Sequence, residues 1–231
     1  MALTGGRMPY DAGGALTGPA RVIYGLQGTS LTPTSDLWDV IPAVANAQGE
    51  YPVKTGFRDF GLAADAPSYS HDKETEGIEY EQPSSDLFEQ ISNITRSFTA
   101  QIAQIDPTNM EIVENTQAGQ AAVAAAANES AGIKVGFGMY DVLLSRAIIL
   151  VSYRPSGAGE VVEPSGLRRP PAVALMLPSC RLAAEESEFE FAKGEPVNAE
   201  IGFTVFPASG FPAGQEHGFW FFENPGTIAA V

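Results

Sequence analysis

The stretch from Lys54 to Thr116 constrains the fold most, because polar and apolar residues alternate over long runs. Its clearest part is the segment from Ser92 to Ile105. There Ile94, Phe98 and Ile102 share one parity, and mostly hydroxyl and amide residues occupy the other. A period of two residues is typical of a β-strand with one buried face. We therefore predict a long strand that places these three side chains in the core.

A short helix is predicted directly after this strand. Asp106 and Pro107 end the alternation, and proline is tolerated where a helix begins. Thr108 and Glu111 have the spacing of a capping box, in which each side chain accepts from the backbone of the other. The pattern predicts a helix from about Asn109 to Asn115.

Strand patterns recur along the rest of the chain, separated by turns rich in glycine and proline. Ser68–Lys73 and Thr75–Gln82 are predicted as an antiparallel pair. The other predicted strands are Arg21–Leu26, one within Lys54–Leu62, Ile133–Phe137, Ala147–Tyr153, Ala172–Leu177, Phe189–Ala192, Glu200–Phe206 and Phe219–Phe222. Many short strands with one helix predict a mainly β fold, a β-sandwich or barrel with a short helix flanking the sheet.

Three segments have weaker patterns. Residues 1–19 are rich in glycine and are predicted to be a flexible N-terminal arm, with 20–231 as a single β domain. Residues 27–49 predict a long loop with at most one helical turn, anchored by Trp38, and such loops are usually functional or disordered. Residues 118–129 are rich in alanine and predict either a helix tail or a surface loop.

The charge of the chain restricts its partners. Thirteen Lys and Arg against 28 Asp and Glu give a formal charge of −15. Proteins that grip nucleic acid neutralise phosphates with Lys and Arg, so such a role is disfavoured. An acidic wall past which nucleic acid slides without sticking remains compatible with this charge. A merely solubilising surface is the alternative interpretation.

The acidic residues of two predicted strands are candidates for such a wall. In each strand they alternate with apolar residues, so that they share one face. The candidates are Glu79 and Glu81 in the first strand and Glu186, Glu188 and Glu190 in the second. They either line a water-filled channel or form an ordinary solvated face.

Reactive residues are few, and no catalytic, metal or cofactor site is predicted. His71 and His217 are the only histidines and lie far apart in the sequence, and no nucleophile elbow accompanies them. Cys180, the only cysteine, follows an apolar run and is predicted to be packed rather than reactive. The sequence shows no secretory signal and no membrane span, so we expect it to fold in a cytoplasm. Because no reactive site is predicted, we do not expect it to be an enzyme.

The order of the segments resembles that of one protein family. RVIYGLQGTSLTPTSDLWD is similar to an opening strand and loop, and GFRDFGLAADAPSYSHDKETEGIEYEQ to a G-x-x-D-x-G turn with an acidic strand. SSDLFEQISNITRSFTAQIAQIDPTNMEIV resembles a long strand running into a helix, and ALMLPSCRLAAEESEFEFAKGEPVNAEIGFTVFP a closing pair of strands. Together these resemble the major tail proteins, or tail-tube subunits, of long-tailed, non-contractile (siphovirus-type) bacteriophages.

The resemblance implies a structural virion protein. Its subunits form hexameric rings that stack into a tube, and DNA passes through the lumen into the host without specific binding. It also implies a tape-measure protein, a terminator and tail-tip or baseplate proteins as partners, and assembly in the bacterial cytoplasm without a membrane. Candidate contacts between subunits are Trp38, Phe57, Phe60, Arg168 and Arg169.

Two other classes of function remain open. The first is a carbohydrate- or cell-surface-binding β module, such as an adhesin or a capsid decoration protein, with Trp38 and Trp220 as part of a sugar platform. The second is a hydrolase, which needs a convergent pocket and a nucleophile paired with a base. Self-assembly into tubes distinguishes the tail-tube subunit from both.

Overall fold

The computed structural model describes residues 17–26, 28–47, 49–61, 66–77, 89–102, 107–113, 120–123, 131–135, 144–154, 159–183, 188–190 and 198–228. Within them the chain is mainly β, as predicted. The strands are β1 (Thr17–Gly25), β2 (Phe57–Asp59), β3 (Ser68–Gly77), β4 (Glu89–Ile102), β5 (Gln120–Val123), β6 (Gly132–Val135), β7 (Arg146–Tyr153), β8 (Val161–Val162), β9 (Arg168–Arg169), β10 (Ala172–Leu182), β11 (Glu188–Glu190), β12 (Asn198–Val205), β13 (Phe219–Phe222) and β14 (Gly226–Thr227). One α-helix, α1 (Pro107–Val113), and a 3₁₀ turn (Leu37–Asp39) join them.

The largest sheet has the antiparallel order β2-β1-β7-β10-β12-β4-β3, with β11 also paired to β12 and β13 to β10. One side of β10 is shared by two strands, because Val173–Met176 pair with β13 and Cys180–Leu182 pair with β12. Pro178, which has no amide hydrogen to donate, lies between these two parts, where the pairing of β10 with β7 on its other side also shifts register. Gly218 has φ 141° and lies so close to β10 that a Cβ there would be 2.6 Å from the Met176 carbonyl oxygen. The sheet therefore branches at β10.

The central strands are apolar on both faces because both faces are covered. This explains their near-continuous apolar runs, AIILV in β7 and AVALMLP in β10. On one face Tyr24, Ile148 and Leu177 join the first core. Phe98 of β4 and Ile112 of α1 complete this core, so the helix flanks the sheet as the sequence predicts.

The opposite face is covered by the long loop rather than by another sheet. Ile23 and Ile149 point into a second core, which Leu37 and Ile41 close from the loop. Leu37 is fully buried in the 3₁₀ turn, whose first backbone amides are capped by Asp36. The one helical turn predicted in this loop is therefore present. The described part of the loop packs on the sheet as a cover, so it is not disordered; a functional role for it stays a prediction.

Several predicted elements differ from the observed ones. β3 is one continuous strand paired with β4, so the predicted pairing of Ser68–Lys73 with Thr75–Gln82 is wrong. Within the alanine-rich stretch, Gln120–Val123 is a strand paired with β6. β1 begins at Thr17, three residues inside the predicted arm, and residues 1–16 lie outside the described part. The helix begins two residues earlier than predicted.

The three residues predicted to face the core have different outcomes. Phe98 is fully buried and its ring lies 6.1 Å from that of Phe203. Ile94 is half-buried, because β4 leaves the body of the sheet near this position. The side chain of Ile102 lies outside the described part of the structure.

Candidate functional site

The outer face of β3, β4 and β12 carries polar side chains that share one parity. Register pairs join Ser70 to Ser97, Ser68 to Thr99, Thr99 to Gly202 and Gln101 to Glu200. The hydroxyl oxygens of Ser70 and Ser97 are 2.7 Å apart, which confirms that both face outward on the same side. We call this surface the polar wall; its members are Ser68, Ser70, Ser97, Thr99, Gln101, Glu200, Gly202 and Thr204.

The eight residues of the polar wall include no Lys or Arg, and their one titratable member is Glu200; exposed Arg181 of β10 lies at the edge of the wall, directly across from Thr204. A groove of about 320 Å³ crosses it where Gly202 lacks a side chain. Its lining residues are Ser97, Phe98, Thr99, Ala183, Glu200, Gly202 and Phe203. Hydroxyls and one carboxylate can hold water by hydrogen bonds, but the residues that line this groove include no cation for a phosphate.

The structure describes two of the five acidic residues that the sequence suggested as a channel wall. Glu188 and Glu190 lie on β11, across from Glu200 and Asn198 of β12 in the register, so β11 extends the sheet that bears the polar wall. Glu79, Glu81 and Glu186 lie outside the described residues.

Beyond the polar wall, β3 and β4 continue as a two-stranded arm. β12 pairs with β4 only from Ser97 to Ile102. Residues 89–96 of β4 and 71–77 of β3 pair with each other, and among the described residues neither segment has a second strand beside it. We call these residues the two-stranded arm. Such a ribbon is marginal by itself in water, and its edges can pair with another chain.

A buried ionic cluster surrounds Arg169. Its guanidinium makes a bidentate ion pair with Glu223, with 2.8 Å between Nη2 and Oε1, and its Nε lies 3.4 Å from Oε1 of Glu163. The guanidinium carbon is 5.4 Å from the ring centroids of both Trp38 and Tyr51. Arg169 and the two carboxylates are almost fully buried.

This cluster holds the long loop against the sheet. The Tyr51 hydroxyl donates to Glu163, and the Ala45 amide donates to the same carboxylate at 3.0 Å. Arg169 in turn donates to the Ala43 carbonyl at 3.2 Å. Because these groups come from sequence-distant segments, the cluster fixes the loop in a single position. Its groups satisfy one another, so its geometry is that of a structural lock and not of a reactive centre.

The protonation states follow from these contacts. Burial alone would raise the pKa of Glu163, but hydrogen bonds from Tyr51, Ala45 and Arg169 outweigh it and bring the pKa below its ordinary value. Burial and the hydrogen bond to Glu163 raise the pKa of Tyr51. Burial would lower the pKa of Arg169, yet Glu223 raises it. The cluster therefore holds one cation, ionised Glu163 and a neutral tyrosine.

Most of the residues proposed from the sequence as inter-subunit contacts are used within the chain. Phe57, Phe60 and Arg169 are 8%, 3% and 7% exposed, so the prediction that they contact another subunit is wrong. Trp38 is half-buried, edge-on to Phe221 and beneath Arg169. Arg168 is exposed and paired at 3.1 Å with Glu160, so its contact with another subunit stays a prediction.

The sequence pattern of β13 did not predict that two of its aromatic side chains are exposed. Phe219 and Phe221 pack into the second core, whereas Trp220 and Phe222 are 51% and 57% exposed. The two exposed rings are stacked, with centroids 6.2 Å apart. The alternation FWFF is too short to tell from sequence which parity is buried.

The remaining candidate groups are isolated. His71 lies on the two-stranded arm beside Tyr69, and burial together with Arg96 lowers the pKa of His217. Cys180 is fully buried, as predicted, and burial raises the pKa of its thiol. Within the described ranges, no three His, Cys, Asp or Glu side chains lie close enough together to hold a metal ion.

Neither helix length nor sequence similarity assigns the chain further. None of the helices in the described ranges has the length and apolar character needed to cross a membrane. Searches of the sequence against protein-family models and against curated proteins found no match.

Proposed function

We propose that this protein is a tail-tube subunit of a siphovirus-type bacteriophage. In this proposal subunits close into hexameric rings, the rings stack into a tube, and the tube delivers DNA into the host. A tape-measure protein, a terminator and tail-tip proteins would act on the ends and length of the tube. The virion is then the place where the protein functions.

The observation that carries the proposal is the polar wall. A conduit for DNA needs a surface that is wetted but gives phosphates nothing to bind, since each contact with Lys or Arg releases counterions and strengthens adhesion. The polar wall has hydroxyls, an amide and a carboxylate, and the arginine at its edge, Arg181 across from Thr204, has its guanidinium carbon 4.8 Å from the Phe206 ring centroid. The formal charge of −15 supports the same function.

The strand edges also support assembly. β2 and β3 lie at the two ends of the largest sheet, and β3 presents a ten-residue edge. A long exposed edge in a monomer invites aggregation, and closure into a ring removes it. Contacts that repeat head to tail without closing build an open stack, as a tube requires.

Negative-stain electron microscopy of the purified protein, with sizing chromatography, tests the proposal. We expect stacked rings or tubes with a central hole, formed by the protein alone or after tail-tip and tape-measure proteins are added. A stable small oligomer that never stacks under either condition would contradict the proposal.

The exposed aromatic pair favours a second candidate, a carbohydrate-binding β module. Trp220 and Phe222 offer ring faces of the kind that sugars use, although Trp38 is occupied by Arg169 and is not available to the same platform. Titration with host cell-wall polysaccharide tests this function. Binding that Trp220→Ala abolishes, by a protein that does not form tubes, would favour the second candidate over the first.

A further inference from the structure

The part of the two-stranded arm whose side chains the structure describes, 71–74 and 94–96, carries opposite charges on its two faces. On one face lie Asp72 and Glu74, next to Thr95 of β4. On the other lie His71 and Lys73, with Arg96 directly across from His71. The Tyr69 and His71 rings stack on this second face, and the Ser70–Ser97 contact marks the first, so the two parities are fixed by contacts as well as by register.

These charges are accessible. Residues 71–74 are all exposed, and Arg96 is half-buried. Arg96 also interacts electrostatically with Glu216 and His217 of the loop before β13, so Lys73 is the more independent cation of its face. The polar wall ends where the arm begins, so the arm projects from the sheet without covering the wall.

We propose that the two-stranded arm docks against the same arm of a second copy, the cationic face of one copy on the acidic face of the next. This inference deepens the proposed tail-tube function and rests on it. It identifies the partner as an identical chain and the contact as a head-to-tail one, which repeats without closing.

The spacing of the charges suits this contact. Stacked sheets lie about 10 Å apart, and each strand residue advances about 3.3 Å. When the cationic face of one arm meets the acidic face of another in register, Lys73 of one copy lies between positions 72 and 74 of the other, within one residue of both carboxylates. Because both faces of the central strands are covered, the second copy must be rotated about the normal of the arm so that only the arms overlap. No shift of register is needed, because the cation and the acids alternate along one strand.

Charge complementarity at the arm would offset the repulsion between whole copies. Two copies that each carry a charge of −15 repel at long range, so association needs a local cation to meet the partner's acids. Each exposed pair is weak alone, and repetition around a ring makes the sum effective through multivalency.

Two variants with opposite defects test the proposal. Lys73→Glu puts an acid at the exposed position of the cationic face and leaves only half-buried Arg96 as a fixed cation there, and Asp72→Lys/Glu74→Lys makes the acidic face basic. Each variant alone should self-associate at least about tenfold more weakly than the wild type, measured by sedimentation velocity over a concentration series. An equimolar mixture should recover association, because alternating copies then present complementary faces. This recovery would also show that both variants fold.

Ser30→Glu/Thr34→Glu, at two exposed positions of the long loop, is the matched control with the same change in charge as Lys73→Glu. It should associate like the wild type. The inference is overturned by arm variants that associate normally, by a mixture that stays dissociated, or by an equal loss in this control. If the wild type forms tubes and the arm variants associate as strongly as the wild type, the arm contact is wrong and the tail-tube proposal stands. A wild type that shows no self-association at any concentration would also overturn the arm contact, whereas the tail-tube proposal would still be decided by co-assembly with tail-tip and tape-measure proteins.

Discussion

At the scale of single residues, losing Arg169 should destabilise the fold more than losing an exposed charge. Arg169 compensates two buried carboxylates, Glu163 and Glu223. We expect Arg169→Met to lower the free energy of unfolding by about 3–5 kcal/mol, because it leaves these carboxylates buried without a cation. Arg168→Met is the matched control, since the Arg168 side chain is 67% exposed, and it should change stability by about 0.5 kcal/mol or less. Urea denaturation of both variants makes the comparison, and equal effects would contradict the structural lock.

Glu163 also predicts how stability depends on pH. Its pKa in the folded protein is below the ordinary value of 4.5, so near that pH the unfolded chain binds more protons than the folded one. Stability from this group is therefore present above about pH 4.5 and is lost as the pH falls through the folded pKa. The difference in unfolding free energy between wild type and Glu163→Gln should shrink from about pH 6 to about pH 3.

The cause of this pKa shift can be tested separately. Tyr51→Phe removes a hydrogen bond that lowers the pKa of Glu163, so its acid destabilisation should begin at a higher pH than in the wild type. Tyr153→Phe removes a hydroxyl near Arg169 without touching that hydrogen bond and serves as the control. Identical acid transitions in Tyr51→Phe and the wild type would show that Tyr51 does not set this pKa.

This lock could not be predicted from the sequence. The run LRRPP identifies a basic pair but not which arginine is buried, because the partner carboxylates lie 6 and 54 residues away. Alternation of polar and apolar residues reports one strand face at a time, and it carries no information about ion pairs between distant segments.

At the scale of elements, the long loop is expected to contribute to stability as a core element does. Leu37 is fully buried in its 3₁₀ turn, beneath the second core. Leu37→Ala should lower the free energy of unfolding by about 2–5 kcal/mol, because it leaves a cavity in a packed region. Leu167→Ala, at a leucine 41% exposed, is the matched control and should have little effect. Thermal or urea unfolding measures both. A negligible effect of Leu37→Ala would mean that the loop does not close the second core.

Strands were predictable where their pattern is long and their environment simple. β4 keeps a period of two because one face packs on the core and the other faces solvent. β7 and β10 were recognisable as apolar runs. β5 could not be recognised, because alanine by itself favours helix. This preference is small, and the pairing of Ala121 and Ala122 with β6 outweighs it. The cover formed by the loop depends on tertiary contacts that a local pattern does not contain.

At the scale of the whole molecule, the tail-tube proposal predicts how the polar wall responds to added charge. Ser97→Lys/Thr99→Lys/Glu200→Lys places cations on the wall, so tubes of this variant should retain short duplex DNA at low salt, inside the lumen and protected from nuclease. Ser209→Lys/Ala213→Lys/Gln215→Lys adds the same number of lysines to an exposed loop, where bound DNA should remain open to nuclease. Wild-type tubes should retain none. The measurement is the DNA that co-sediments with the tubes of each of the three proteins, before and after nuclease treatment. If lysines on the wall give only nuclease-sensitive binding, the polar wall faces the outside of the tube and the assignment of the lumen is wrong.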